Sequence, residues 1–252
     1  MSFSLARFGL KEMLRCGLDL RKGAGDAATL EEVAQGVVGY FYDRCRTDDG
    51  ARECVLARFY KTHAYDGLPA ELQAFARGAL GADEPAPGLQ CLTLLATAGD
   101  EPEWNDRRAS QGHQAIPLAS VQMVEQAPMI AELIRAMGMD VRAVVAPRPE
   151  LIRGMEGKTF NVFHVADAEG SPYIPAQDFV RERGVRSVVG FGGVLVTGEF
   201  YAVILFTRAD IPPESADRFR NVALDLKLAI SSTGVYTTFA DAPAAGEPAA
   251  TA

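Results

Sequence analysis

The sequence predicts an α/β chain in which a central antiparallel β-sheet is sandwiched between helices. Three observations predict it. First, residues 185–196 (VRSVVGFGGVLV) and 200–206 (FYAVILF) are almost continuously apolar and flank a short turn at Thr197-Gly198-Glu199, the pattern of a β-hairpin covered on both faces. Second, amphipathic stretches with helix start signals lie near both ends of the chain. Third, the elements do not alternate regularly between strand and helix, and tight strand connections imply antiparallel pairing.

The elements follow in order. Residues 3–22 predict a helix with Phe3, Leu10, Met13, Leu14 and Leu18 on one stripe. A break at residues 23–26 precedes Thr29-Leu-Glu-Glu32, which reads as a capping box. The helix it opens carries Val33, Val37, Val38, Phe41, Tyr42 and Cys45 on one face. Residues 54–60 (CVLARFY) predict a strand, residues 68–80 a helix and residues 91–96 (CLTLLA) a second strand. Residues 98–113 form a long polar connection, which in a compact domain points to function. A short strand at 115–118, a helix over 121–137, an extended piece at 141–145 and a strand at 160–165 come next. A loop and a short helix fill 166–184, and the hairpin follows. Pro212-Pro213-Glu214 then starts a helix with Ala216, Phe219, Val222, Ala223, Leu226, Ala229 and Ile230 at helical spacing. Residues 1–25 are thus an N-terminal helix suited to dimerisation, 26–232 the main domain, and 233–252 an Ala/Pro-rich tail expected to be disordered.

Composition narrows the function classes. A hydrophobic fraction of 48% and a charged fraction of 23% are those of an ordinary globular protein. A net charge of −8 disfavours a nucleic-acid surface. No apolar run has the length of a transmembrane helix, and Arg7, Lys11, Glu12 and Arg15 interrupt the N-terminal apolar pattern, so neither a membrane partner nor a signal peptide is expected. Cys16, Cys45, Cys54 and Cys91 have no paired spacing, which points to reduced thiols in a cytoplasmic protein. No nucleophile elbow, P-loop or paired metal motif is present, so no catalytic residue and no metal ligand is assigned, and no enzyme activity is expected.

Five segments together resemble a known family. The start at 29–32 with its amphipathic helix, and the end at 198–206 with the following helix, resemble a GAF domain. Residues 92–105 (LTLLATAGDEPEWN), residues 160–165 with 170–175 (GSPYIP), and residues 187–193 (SVVGFGG) are similar to a GAF-like input domain of bacterial multi-domain sensor histidine kinases. The resemblance covers about residues 29–231. It implies a GAF-like sheet between helices, a sensory role, and a small ligand. The chain departs from the multi-domain pattern, with no output domain after residue 232 and no phosphorylatable histidine in a dimerisation hairpin, which implies a stand-alone module signalling through a protein partner.

Candidate ligand-binding residues are Trp104, Arg107, His113, His164, Tyr173 and Phe191. His113 ends the polar loop with Arg107 and Arg108 just before it, and together they would hold an anionic group, since a guanidinium fork matches a carboxylate or phosphate; a solvated loop with surface ion pairs is the plainer reading. Trp104, the single tryptophan, caps a pocket or simply pins the loop. Tyr173 lines a pocket or staples its own loop. His164 is a haem or metal ligand, or more plainly a packed strand histidine. Phe191 stands among Gly190, Gly192 and Gly193, glycines that mark a bulge or a close backbone approach. Cys54 and Cys91 are a redox pair or, more plainly, core thiols.

The leading expectation is therefore a cytoplasmic sensor or adaptor module that binds a small ligand between the sheet and the loops at 98–113 and 166–180. It would form a homodimer through its terminal helices and signal through a protein partner. The alternatives are a ligand-free scaffold with a filled pocket, a haem-binding sensor that needs His113 or His164 to face a cavity, and a small enzyme.

Overall fold

The computed structural model describes residues 2–147, 162–232 and 237–239. Its centre is a six-stranded antiparallel sheet of order β3-β2-β1-β6-β5-β4. The strands are β1 (Cys54–Ala64), β2 (Gln90–Gly99), β3 (Ala115–Pro117), β4 (Phe163–Val165), β5 (Ser187–Val194) and β6 (Phe200–Thr207). The expected hairpin is β5–β6, and it lies inside the sheet with β1 on its other side. Helices cover both faces, as an α/β sheet with two apolar faces requires.

Alternation along the strands sends two sets of side chains to two cores. Tyr201, Val203 and Leu205 of β6, with Phe59 of β1 and Phe191 of β5, face helices α1 (Leu10–Ala24), α2 (Leu30–Arg44) and α9 (Phe219–Ser232). Phe41 and Phe219 from these helices pack against Phe191 at ring distances of 5.4 and 5.1 Å. Phe200, Ala202, Ile204 and Phe206 face the opposite layer. That layer holds α4 (Val121–Glu125), α5 (Pro128–Ala136), α6 (Val141–Val145) and α7 (Gln177–Arg183). The remaining helices are α3 (Ala70–Leu80), which sends Leu72 and Ala76 into the first core, and α8 (Pro213–Asp217).

Local chemistry explains the boundaries. Thr29 Oγ1 accepts from Glu32 N at 3.2 Å, while the Glu32 carboxylate accepts from Ala28 N at 2.7 Å, one residue before the cap expected of a capping box. Leu30 N and Glu31 N donate to the carbonyls of Thr237 and Thr238, so residues 237–239 pack against the start of α2. The rest of the 233–252 tail lies outside the described residues, as do residues 160 and 161 of the expected strand at 160–165.

Three local expectations are corrected. The helix over 121–137 is broken in two, because Pro128 lacks the N–H that would continue it and starts α5 instead. Residues 141–145 are helical rather than extended, capped by Asp140 accepting from Arg142 N at 2.8 Å. The first helix starts at Leu10, and of its predicted apolar stripe Met13 is buried and Phe3 packs against the core, while the three leucines point outward. Met13, Cys16, Gly17 and Leu20 pack inward, while Leu10, Leu14 and Leu18 are 63%, 56% and 60% exposed. Gly17 explains the choice: a Cβ there would lie 2.0 Å from Asp225 Oδ2 of α9, so the glycine face is the one that lets the two helices approach.

Close approach also explains two glycines of β5. A Cβ on Gly190 would stand 2.6 Å from Leu133 Cδ1 of α5, and one on Gly192 would stand 2.1 Å from the carbonyl oxygen of Tyr201. The second neighbour is backbone and cannot rotate away. Gly192→Ala is therefore expected to destabilise the fold by about 2 kcal/mol or more, lowering the melting temperature by roughly 4–8 °C in a calorimetric scan.

Candidate functional site

The second face of the sheet is only partly filled. A cavity of about 550 Å³ lies between it and the helices and loops above. Its floor is Leu56, Arg58 and Tyr60 of β1, Leu92 of β2, and Ile204 and Phe206 of β6. Leu56, Arg58 and Tyr60 share a face because they alternate along β1, and a bulge opposite Phe59/Tyr60 places Leu95 as the extra residue of β2. The roof is Trp104, Gln111 and His113 from the long loop, residues 126–130 and Leu133 from the break before α5 and α5 itself, and residues 174–176 with Phe179 at α7. The lining is largely apolar with a few polar groups, the usual make-up of a small-molecule site.

The long loop is pinned where it leaves β2. Asn105 Nδ2 donates to the carbonyls of Gly99 at 3.0 Å and Glu101 at 2.8 Å, and Asn105 Oδ1 accepts from Gly99 N at 3.1 Å. This seats Trp104 against Gly99, where a Cβ would lie 2.8 Å from Trp104 Cε3. Phe179 meets the indole edge-on at 5.7 Å, and the Arg183 guanidinium lies 5.2 Å from its centroid. Arg183 in turn pairs with Glu101. Trp104 is thus both a loop anchor and a cavity wall.

Arg58 is the cationic group on the floor. Its Nη1 donates to Tyr60 Oη at 3.3 Å, its Nε is buried with no hydrogen-bond partner, and it makes no ion pair among the described residues. His113 stands above it at the mouth, exposed on its outer side, with Nδ1 3.3 Å from the carbonyl of Gln111. Burial of the ring, then the nearby charge of Arg58, hold its pKa below the ordinary imidazole value.

The structure brings together two of the six candidate residues, Trp104 and His113. Tyr173 is 39% exposed at the rim, its ring 6.3 Å from Phe163, beside the lining residue Ile174. The other three lie elsewhere. Arg107 is buried on the helix side, where it pairs with Glu31 of α2 and with Glu71 of α3 at 3.3 Å, 5.3 Å from the Phe239 ring. His164 alternates away from the cavity; its Nε2 is buried without a partner, and burial lowers its pKa. Phe191 is fully buried between α2 and α9. Sequence reasoning missed Arg58, although a single charge inside the apolar run CVLARFY was the available signal.

The thiols are core groups. All four cysteines are free and buried. Burial pushes Cys54 up to about 12 and Cys91 up to about 11. Cys91 pairs in register with His63, nine residues along β1 from Cys54, so the two thiols stand roughly 30 Å apart. Among the described residues no group of three or more His, Cys, Asp or Glu is placed to hold a metal ion, and no helix is long and apolar enough to cross a membrane.

No family model and no curated protein matches the chain. Among solved structures it is similar to the GAF domain of a phosphoenolpyruvate-protein phosphotransferase from Coxiella burnetii, at 10% identity over 87% of this chain and 92% of that one, with a TM-score of 0.47. It is also similar to the phycoerythrobilin-bound GAF domain of a cyanobacterial phytochrome, at 10% identity over 92% and 97%, with a TM-score of 0.41. A third is the chromophore-binding domain of a bacteriophytochrome from R. palustris, at 8% identity over 90% of this chain and 62% of that one, with a TM-score of 0.41. The reading of the site rests on its own geometry.

Arg107 provides a control for that reading. Its side chain is 4% exposed and balances two carboxylates. Arg107→Ala is expected to cost about 3 kcal/mol in chemical denaturation, as removal of one member of a buried ion pair does, while leaving binding in the cavity unchanged.

Proposed function

We propose that this chain is a GAF-like sensory module, cytoplasmic and without enzyme activity, that binds a small molecule between its sheet and its long loops. The observation that carries this reading is the 550 Å³ cavity, which lies within the usual range for small-ligand sites. The loops at 102–113 and 174–176 form its roof, so a ligand that contacts them selects their ordered arrangement. Four free thiols, all buried, suit a reducing compartment.

The output runs through the terminal helices. α1 and α9 pack side by side, and Arg21 reaches Asp225 at 3.3 Å. Leu10, Leu14 and Leu18 of α1, with Leu224 and Leu228 of α9, each 46% exposed or more, remain uncovered. Exposed leucines at i, i+4 and i+8 form a stripe suited to another helix. We assign it to a second copy of this chain, with a signalling partner reading the dimer. A ligand-free scaffold would keep this surface and lose the cavity.

Native mass spectrometry of the purified full chain tests the ligand. A mass excess of one small molecule per chain, lost when Ala127→Trp fills the cavity, is expected; identical spectra for both proteins, with no adduct after incubation with apolar small molecules, would contradict the reading. Light scattering tests the dimer. The wild type is expected at twice its 27.0 kDa chain mass, and Leu14→Glu with Leu18→Glu at that mass once. A monomeric wild type would remove the dimer.

A further inference from the structure

The polar groups of the cavity specify more than its size. Arg58 lies in the middle of β1, paired in register with Thr97 and Ile204, so two flanking strands fix its backbone. Its neighbours on the same face are Leu56 and Tyr60, and apolar side chains make up most of the surrounding surface. A guanidinium beside an apolar cavity loses hydration, and an unmet N–H there is costly. In a chain with 33 acidic residues, many arginines meet a carboxylate, as Arg107, Arg183 and Arg208 do. Arg58 meets none among the described residues, and its Nε is buried without an acceptor.

We propose that the cavity takes an amphiphilic carboxylic acid, with its carboxylate on Arg58 and its apolar body between Trp104, Phe179, Leu133 and Phe206. The proposal rests on the reading of this cavity as a ligand site. A carboxylate matches the charge and the forked N–H pattern of the guanidinium, for which no acid among the described residues stands as partner. The Tyr60 hydroxyl, which accepts from Arg58 Nη1, carries its own O–H at the same end of the cavity to serve as a further donor. A polyanion such as a nucleoside triphosphate is disfavoured, because Arg58 is the single lysine or arginine among the described lining residues. A neutral apolar molecule would fill the space and leave the Arg58 charge without a counter-charge.

Isothermal titration calorimetry of the full chain with 1-naphthylacetate and decanoate, each against its primary amide, tests this. At least one acid is expected to bind tenfold or more tightly than its amide. Arg58→Met is expected to abolish that preference while keeping the amide's affinity, and Arg58→Lys to restore part of it. Equal affinity of acid and amide for the wild type would overturn the carboxylate assignment and leave the ligand site standing. No binding by any of the four would overturn both. The acid–amide comparison on the wild type needs no variant, so it decides the matter even if Arg58→Met fails to fold.

Discussion

The structure depends on one constraint: a sheet with two apolar faces must have both covered, and here they are covered unequally. On one face, α1, α2 and α9 close over the sheet, and Phe41 and Phe219 from the helices, Phe8 just before α1 and Phe191 of β5 are all fully buried between them. Phe8 and Phe219 stack at 4.7 Å. On the other face the cover that the described residues supply is built from short helices and loops, and it does not reach the sheet everywhere. The cavity is what remains. Its position follows from the topology, because β1 and β6 are central strands and their residues Arg58 and Ile204 lie far from either sheet edge.

The unequal cover divides the labour of the molecule. The filled face carries the terminal helices, whose outer leucines are exposed. The open face carries the loops that a ligand would order. The two are joined by the sheet itself, whose strands present alternate residues to both sides. Tyr201 illustrates the link: its side chain hydrogen-bonds the carbonyl of Ala223 in α9 at 2.7 Å, while its neighbours Phe200 and Ala202 face the open layer.

Much of the scaffold was legible in the sequence. The β5–β6 hairpin, α2 with its Thr29 cap and the final helix each carry a strong local pattern, either continuous β-rich apolarity or helical spacing with a start signal. The long loop at 98–113 stood out because it is long and polar and holds the one tryptophan, and its Trp104, Gln111 and His113 line the cavity. The site was less legible. Arg58 stands in an apolar strand, where a lone charge looks like an edge residue until the strand order makes β1 central. Arg107 looked like an anion-binding residue because its two partners, Glu31 and Glu71, are distant in sequence. Leu10, Leu14 and Leu18 fit a helical stripe as well as the buried residues do. Only the packing of Gly17 against Asp225 decides which stripe turns inward.

The most direct test of the central claim is diffraction from crystals of the full chain pressurised with xenon, which enters apolar cavities and marks them. The account predicts a xenon peak between Trp104, Phe179, Leu133 and Phe206. Loops closed onto the sheet, with no peak there, would contradict it.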